Sequence, residues 1–147
     1  QTAVLASSGV DAMEGLKTAA QASHPAIRYW ALTGLGNIGV KAISTLTLVE
    51  KHLSDESPAV GIAAARALCR MEKPQEALPV LLDWLMNGEQ WEQLQAAIVL
   101  DEINAQAAPV LDQMKSALDS KIAKNKYVVR VVNRALNEEL GTANMVP

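Results

Sequence analysis

The sequence predicts an all-α fold, a right-handed solenoid of about four stacked helix pairs, and three observations predict it. Leu35, Leu68, Leu100 and Leu136 stand in equivalent patterns separated by 33, 32 and 36 residues. A period in the low thirties with two helices per period marks a helical repeat array. Hydrophobic residues make up 50% of the chain but aromatics only 3%, with no Phe, so the apolar content is Ala, Leu, Val and Ile. These fall at helical spacing, and Ala and Leu favour helix. Pro25 and Pro58 suit first helical positions, and Lys73-Pro74 marks a further boundary. Proline's fixed φ helps at a helix start, and its missing N–H is not needed there.

The elements follow in order. Residues 1–9 read as the tail of an upstream segment. Residues 10–22 form a first helix with Val10, Met13, Leu16 and Ala20 inward, and Asp11 and Glu14 near its start, where the helix dipole favours acids. Residues 25–39 form the second, with Ile27, Ala31, Gly34, Leu35 and Ile38 on one face and Gly36 and Gly39 as stops. Residues 40–53 form the third, with Ile43, Leu46, Val49 and Leu53 inward. After a turn in which Ser57 is the expected N-cap, residues 59–71 form the fourth, burying Val60, Ala64, Ala67, Leu68 and Met71.

Residues 75–86 form the fifth helix, with Leu78, Leu81, Leu82 and Leu85 inward and Pro79 disturbing its first turn. Asn87-Gly88 stops it. Residues 89–103 form the sixth, burying Leu94, Ala97, Leu100 and Ile103. Residues 107–122 form the seventh, with Pro109 in its first turn and Leu111, Met114 and Leu118 inward. Residues 127–140 form the eighth, with Val128, Val132, Ala135, Leu136 and Leu140 inward and Gly141 as its stop; 142–147 is a loose tail. The repeat domain thus spans 10–141, divided as 10–39, 40–72, 73–104 and 105–141. Eight residues before the repeat leucines stand Ile27, Val60, Glu92 and Val128, and only Glu92 breaks the apolar rule.

Candidate chemistry is thin. Gly34-Leu35-Gly36-Asn37-Ile38-Gly39 matches G-x-G-x-x-G, but a dinucleotide-binding turn must follow a strand and open a helix. Here the glycines close a helix, so they read as a terminator and no cofactor is expected. His24 and His52 sit at helix ends, where capping or a surface role is expected. No His-x-x-x-His, Glu-x-x-His or paired Cys supplies a zinc or di-iron ligand set, so no metal is expected. Asp101-Glu102 and Glu138-Glu139 are neighbours on helices, point apart, and read as solvated charges. The lone Cys69 reads as a small buried thiol that cannot form an internal disulfide. A net charge of −3 argues against a nucleic-acid binder. No apolar run reaches the length of a membrane span, and no charged n-region precedes an apolar stretch, so neither a membrane contact nor a signal peptide is expected. The chain reads as a non-catalytic piece of something longer.

The pattern resembles the HEAT-like repeats of the phycobilisome-lyase type: a helix opening Val-Arg, then Ala-Ala-x-Ala-Leu, Gly-x-Ile-Gly and Ala-x-Pro-x-Leu. Ile27-Arg28, Ala31, Leu35, Gly36 and Ile38-Gly39 match, as do Val60, Ala63-Ala64, Ala67-Leu68 and Ala77-Leu78-Pro79-Val80-Leu81-Leu82. Such repeats often pair a turn Asp with an Arg of the following helix. Arg28 has no Asp in Ser23-His24-Pro25, and Gly61 stands where Asp55 would want its Arg, so no continuous ladder is expected.

A narrower stretch, His24-Pro25-Ala26-Ile27-Arg28-Tyr29-Trp30-Ala31 with Gly34-Leu35, resembles the C-terminal helical-repeat extension of bacterial sulfatases of the arylsulfatase and heparan N-sulfatase type. That resemblance implies a parent enzyme, periplasmic or secreted, whose catalytic core is not in this chain: Cys69-Arg70-Met71-Glu72-Lys73 lacks the Cys-x-Pro-x-Arg motif. Arg28, Tyr29 and Trp30 would then be the interface to the upstream catalytic domain. The alternative is a stand-alone cytoplasmic adaptor, or a lyase-type subunit, binding another protein. Lys121, Lys124, Lys126, Arg130 and Arg134 give the last repeat a local basic excess, a candidate patch for an acidic glycan or another acidic partner; the competing reading is an ordinary solvated face.

Overall fold

Proline and histidine together set the first long helix. In the computed structural model, which describes residues 2–5, 12–119, 122 and 124–142, α3 (Pro25–Ile38) begins on Pro25. The His24 Nδ1 accepts the Ala26 N–H at 3.2 Å, so His24 is the cap, as its position at a helix end suggests. α1 (Thr2–Leu5) and α2 (Met13–Ala20) precede it, and α4 (Leu46–Lys51) and α5 (Pro58–Arg70) follow. α6 (Pro74–Asn87), α7 (Gln90–Glu102), α8 (Leu111–Leu118) and α9 (Lys126–Leu140) complete the chain, with 3-10 segments at Gly39–Thr45, His52–Ser54 and Asn104–Val110. Among the described residues there is no strand, and the fold is all-α. Residues 1, 6–11, 120, 121, 123 and 143–147 lie outside the description, and with them Val10, Asp11, most of the loose C-terminal tail and all of the expected upstream tail except residues 2–5, which form α1.

Two compact units divide the chain, Gln1–Ala77 and Leu78–Pro147. In the first, α3 packs on α5, α1 and α2 pack on α3, and α4 packs on α5. Leu16, Leu32, Leu35, Val49, Val60 and Leu68 have no exposure and form its core. The α3–α5 contact needs glycine: a Cβ on Gly36 would stand 3.0 Å from the Ala67 Cα. Gly36 is therefore a packing residue inside the helix, not the stop the sequence suggests. Gly39 is the stop, at φ 65° and ψ −137°, a backbone region that glycine alone occupies readily.

The buried arc of α3 runs through Arg28, Ala31, Leu32, Gly34, Leu35 and Gly36. It is turned from the expected stripe, so Ile27 sits exposed at its edge. The expected third helix opens instead as 3-10; Val49 is buried as expected, but Ala42, Thr45 and His52 are buried in place of Ile43, Leu46 and Leu53. A 3-10 turn advances 120° per residue where an α-helix advances 100°, so a 3.6-residue reading drifts off register. The Thr45 hydroxyl bonds back to the Ala42 carbonyl at 2.7 Å, which lets a polar residue be buried there. Ser57 precedes α5 but its hydroxyl does not cap; Asp55 Oδ1 accepts the Ser57 N–H at 3.0 Å. Val60, Ala64, Ala67, Leu68 and Met71 are all buried, as the periodicity predicts.

The run Pro25–Ser54 is long and apolar enough to cross a membrane when counted as one helix, which an apolar-run count of the sequence does not register. Gly39 divides it. The 14 residues of α3 measure about 21 Å, short of a hydrocarbon core of about 30 Å.

In the second unit α7 and α8 both pack on α9. Leu100, Met114, Val128, Val132 and Leu136 are buried. Glu92 departs from the apolar rule because it is a cap: its Oε2 accepts the Glu89 N–H at 2.7 Å. The segment before α8 again opens as 3-10 and buries Ala107, Val110, Met114 and Ala117, leaving the expected Leu111 and Leu118 half-buried. α6 carries Pro79 inside it without a break. Leu140, expected inward, is exposed: α9 runs four residues past Leu136, whereas α7 ends two past Leu100.

Candidate functional site

Three side chains of α3 were expected to form an interface, and the structure separates them. Arg28 is spent inside the chain. Its Nε donates to Asp55 Oδ2 at 2.8 Å and its Nη2 to Asp55 Oδ1 at 2.7 Å, a two-pronged pair. Nη1 donates to the Ala22 and Ser23 carbonyls at 3.1 and 2.7 Å, and Nη2 also reaches Glu56 at 3.4 Å. Arg28 thus fastens the turn before α3 to the turn before α5. Burial pushes the Asp55 carboxyl up, but the Arg28 guanidinium and the Ser57 N–H outweigh it and hold Asp55 below the usual carboxylate range. The Asp that the sequence sought before Arg28 stands in the next turn. Gly61, equivalent to Arg28 one repeat on, cannot make a second such rung.

Tyr29 and Trp30 do reach the surface. Their rings meet edge to face, centroids 5.4 Å apart at 78°, with Tyr29 half-buried and Trp30 exposed. Ile27 and Trp30 are 39% and 43% exposed, while Val60 and Ala63, which hold the same repeat positions on α5, are 0% and 6% exposed. Ala67, one turn further along that α5 face, lies against Gly36 of α3. The same stripe is therefore covered on α5 and open on α3. α1, four residues long, packs on α3 without covering Ile27 or Trp30.

In the second unit, Lys124, Lys126 and Arg130 are exposed and form no ion pair among the described residues. Lys121 lies outside the described residues. Arg134 is exposed but engaged: its Nε donates to Asp101 Oδ1 at 3.0 Å and its Nη2 to Asp101 Oδ2. The equivalent Arg66 reaches Asn37 Oδ1 at 3.2 Å, so both arginines brace the end of the preceding long helix. Sequence reasoning assigns no role to Trp91 and Tyr127. They are 68% and 62% exposed and share one repeat position, nine residues before Leu100 and Leu136. That shared phase is the signal that would have found them.

No catalytic constellation comes together among the described residues. His52 stands at the C-cap of α4, as its place at a helix end suggests, but is buried there, with Nδ1 2.8 Å from the Leu48 carbonyl of α4. No cluster of His, Cys, Asp or Glu there could hold a metal ion. A groove of about 250 Å³ lined by Leu82, Met86 and Gln113 presents one ionisable group, Asp83, which accepts the Asn87 amide at 2.7 Å.

A family model described as HEAT repeats matches residues 13–101. No curated protein and no solved structure gives a match, and the sulfatase resemblance gains no support from these comparisons.

Proposed function

The chain belongs to the HEAT repeat family, and from that premise we propose that it is a non-catalytic interaction domain whose first unit docks a partner protein's amphipathic helix along Ile27 and Trp30. HEAT repeats commonly mediate protein–protein interaction and are generally non-catalytic. One observation carries the reading: Ile27 and Trp30 are open where Val60 and Ala63 are closed. α5, which carries Val60 and Ala63, is packed on by a helix, α3, so the open stripe suits a helix as well. Tyr29, edge-on to Trp30, holds the indole in place, and aromatic anchors of this kind dominate binding energy at interfaces. Arg28 stabilises the site from behind and does not touch the partner.

The test uses a peptide of residues 24–39 with Trp30→Phe, the segment whose helix packs on α5 in this chain. It is titrated into a protein carrying Trp84→Phe and Trp91→Phe, following Trp30 emission. A saturable blue shift that Ile27→Asp abolishes is expected. No shift at millimolar peptide overturns the docking reading.

Sulfatase parentage, with periplasmic or secreted localisation, is a separate proposal resting on the stretch around Arg28-Tyr29-Trp30. A full-length gene without a Cys-x-Pro-x-Arg or Ser-x-Pro-x-Arg domain removes it and leaves the adaptor role.

A further inference from the structure

We infer that the face shared by α7 and α9 in the second unit is a further docking surface, one that takes a short acidic segment of a partner protein. α7 and α9 pack side by side. The Asn125 side-chain amide donates to the Gln90 carbonyl at 3.3 Å and aligns their first turns, and Arg134 on Asp101 ties them further along. Equivalent positions therefore stand beside one another. On α7, Trp91, Leu94 and Ile98 follow at i, i+3 and i+7, with Trp91 and Ile98 exposed. On α9, Tyr127, Arg130 and Arg134 occupy the same three positions, all exposed. An apolar row lies next to a cationic one, with an aromatic at the head of each.

The charge at the head of α9 runs against the helix's own preference. Lys124 and Lys126 flank its N-cap, Asn125, and no acid stands in its first turn, although the positive end of the dipole favours acids there. Lys124, Lys126 and Arg130 have no ion pair among the described residues. Three cations and a helix N-terminus thus point to an anion that comes from outside the chain. In the first unit the same head positions hold Ala26 and Ala59, and Arg66 is bonded to Asn37, so no such face is built there.

The surrounding acids narrow the occupant. Glu89 and Glu92 stand at the head of α7, and Glu102 and Glu138 at the far end of the face. A long polyanion such as a nucleic acid or a sulfated glycan would run over them. A peptide with two or three carboxylates on Lys124, Lys126 and Arg130 would not, and an apolar side chain between its acids would seat on Trp91 and Ile98.

The experiment is a titration of the full chain with a fluorescent octapeptide, a leucine flanked by Asp and Glu. Its counterpart with Lys for every acid and a sulfated oligosaccharide of equal charge are titrated in parallel. Binding of the acidic peptide is expected, weakening with salt and falling at least tenfold in Lys126→Glu/Arg130→Glu and in Trp91→Ala. The double charge reversal should bind the lysine peptide instead. All these side chains are exposed, so the variants should keep the wild-type melting curve. Absence of binding at millimolar peptide, or unchanged binding in the variants, overturns the inference. Tighter binding of the sulfated oligosaccharide that Trp91→Ala leaves intact also overturns it, in favour of a glycan. Ile27→Asp should leave acidic-peptide binding untouched, which separates this surface from the one on α3.

Discussion

Replacing Gly39 by alanine should destabilise the protein by about 1–3 kcal/mol. Gly39 ends α3 at φ 65° and ψ −137°. An L-residue in this region costs about 1–3 kcal/mol, and loss of glycine's freedom in the unfolded chain offsets about 0.4–1 of it. The new Cβ would also stand 3.1 Å from the Arg70 carbonyl oxygen, closer than ordinary contact, so the crowding adds to the backbone strain. For a chain of this size the melting temperature should fall by roughly 2–4 °C for each kcal/mol. Gly141 is the internal control: its φ is 61° and ψ 31°, and a Cβ there meets nothing within 4 Å. Gly141→Ala should cost about 1 kcal/mol or less. Urea melts with unchanged slopes would measure both. Semisynthesis with D-alanine at 39 sharpens the test. The mirror image of its backbone angles, φ −65° and ψ 137°, is close to the polyproline conformation, so the D-residue should be tolerated. If Gly39→Ala costs no more than Gly141→Ala, or D-alanine costs as much as L-alanine, backbone conformation is not what holds glycine at this corner.

Two further outcomes are expected. Leu35→Ala, Leu68→Ala and Leu100→Ala each remove a fully buried side chain and should cost about 2–5 kcal/mol, whereas Lys41→Ala on the surface should stay within about 0.5; urea midpoints ranked the other way would refute the repeat register. Asp55 titrates below its unfolded value of about 3.9, so its contribution is complete above that pH and disappears as pH falls through the lower folded pKa. Stability measured from pH 6 to pH 2 should therefore drop less steeply at the acid end in Asp55→Asn, and an identical acid slope would count against the Arg28–Asp55 pair.

Helix starts were legible because proline and the residues before it act locally. Pro25, Pro58 and Pro74 each open a helix. The long helices α5 and α9 were legible because α-helical periodicity holds along them, and their repeat leucines and valines are buried as expected. The two segments before α4 and α8 were not, since their 3-10 openings rotate the buried face onto small residues, Ala42 and Ala107, that a search for large apolar side chains passes over. Arg28 was visible as a residue, but its role was not. Nothing local to Ser23-His24-Pro25 shows that the matching carboxylate lies 27 positions on, and only stacking brings Asp55 to it.

The repeat phase fixes which way a side chain points, but the neighbouring helix decides what it meets. Ile27, Val60, Glu92 and Val128 share one phase and have different fates. Val60 and Val128 are closed over, Ile27 is open, and Glu92 caps its own helix. Trp91 and Tyr127 share another phase with Ala26 and Ala59, yet only the second unit places aromatics there. A side chain required for stacking alone should look alike in every repeat, because each repeat faces the same packing problem. Positions that keep the phase while changing size or exposure are under a different demand. By that criterion the α3 edge and the α7–α9 face are the parts of this chain that stacking does not account for, and they are where its partners should be sought.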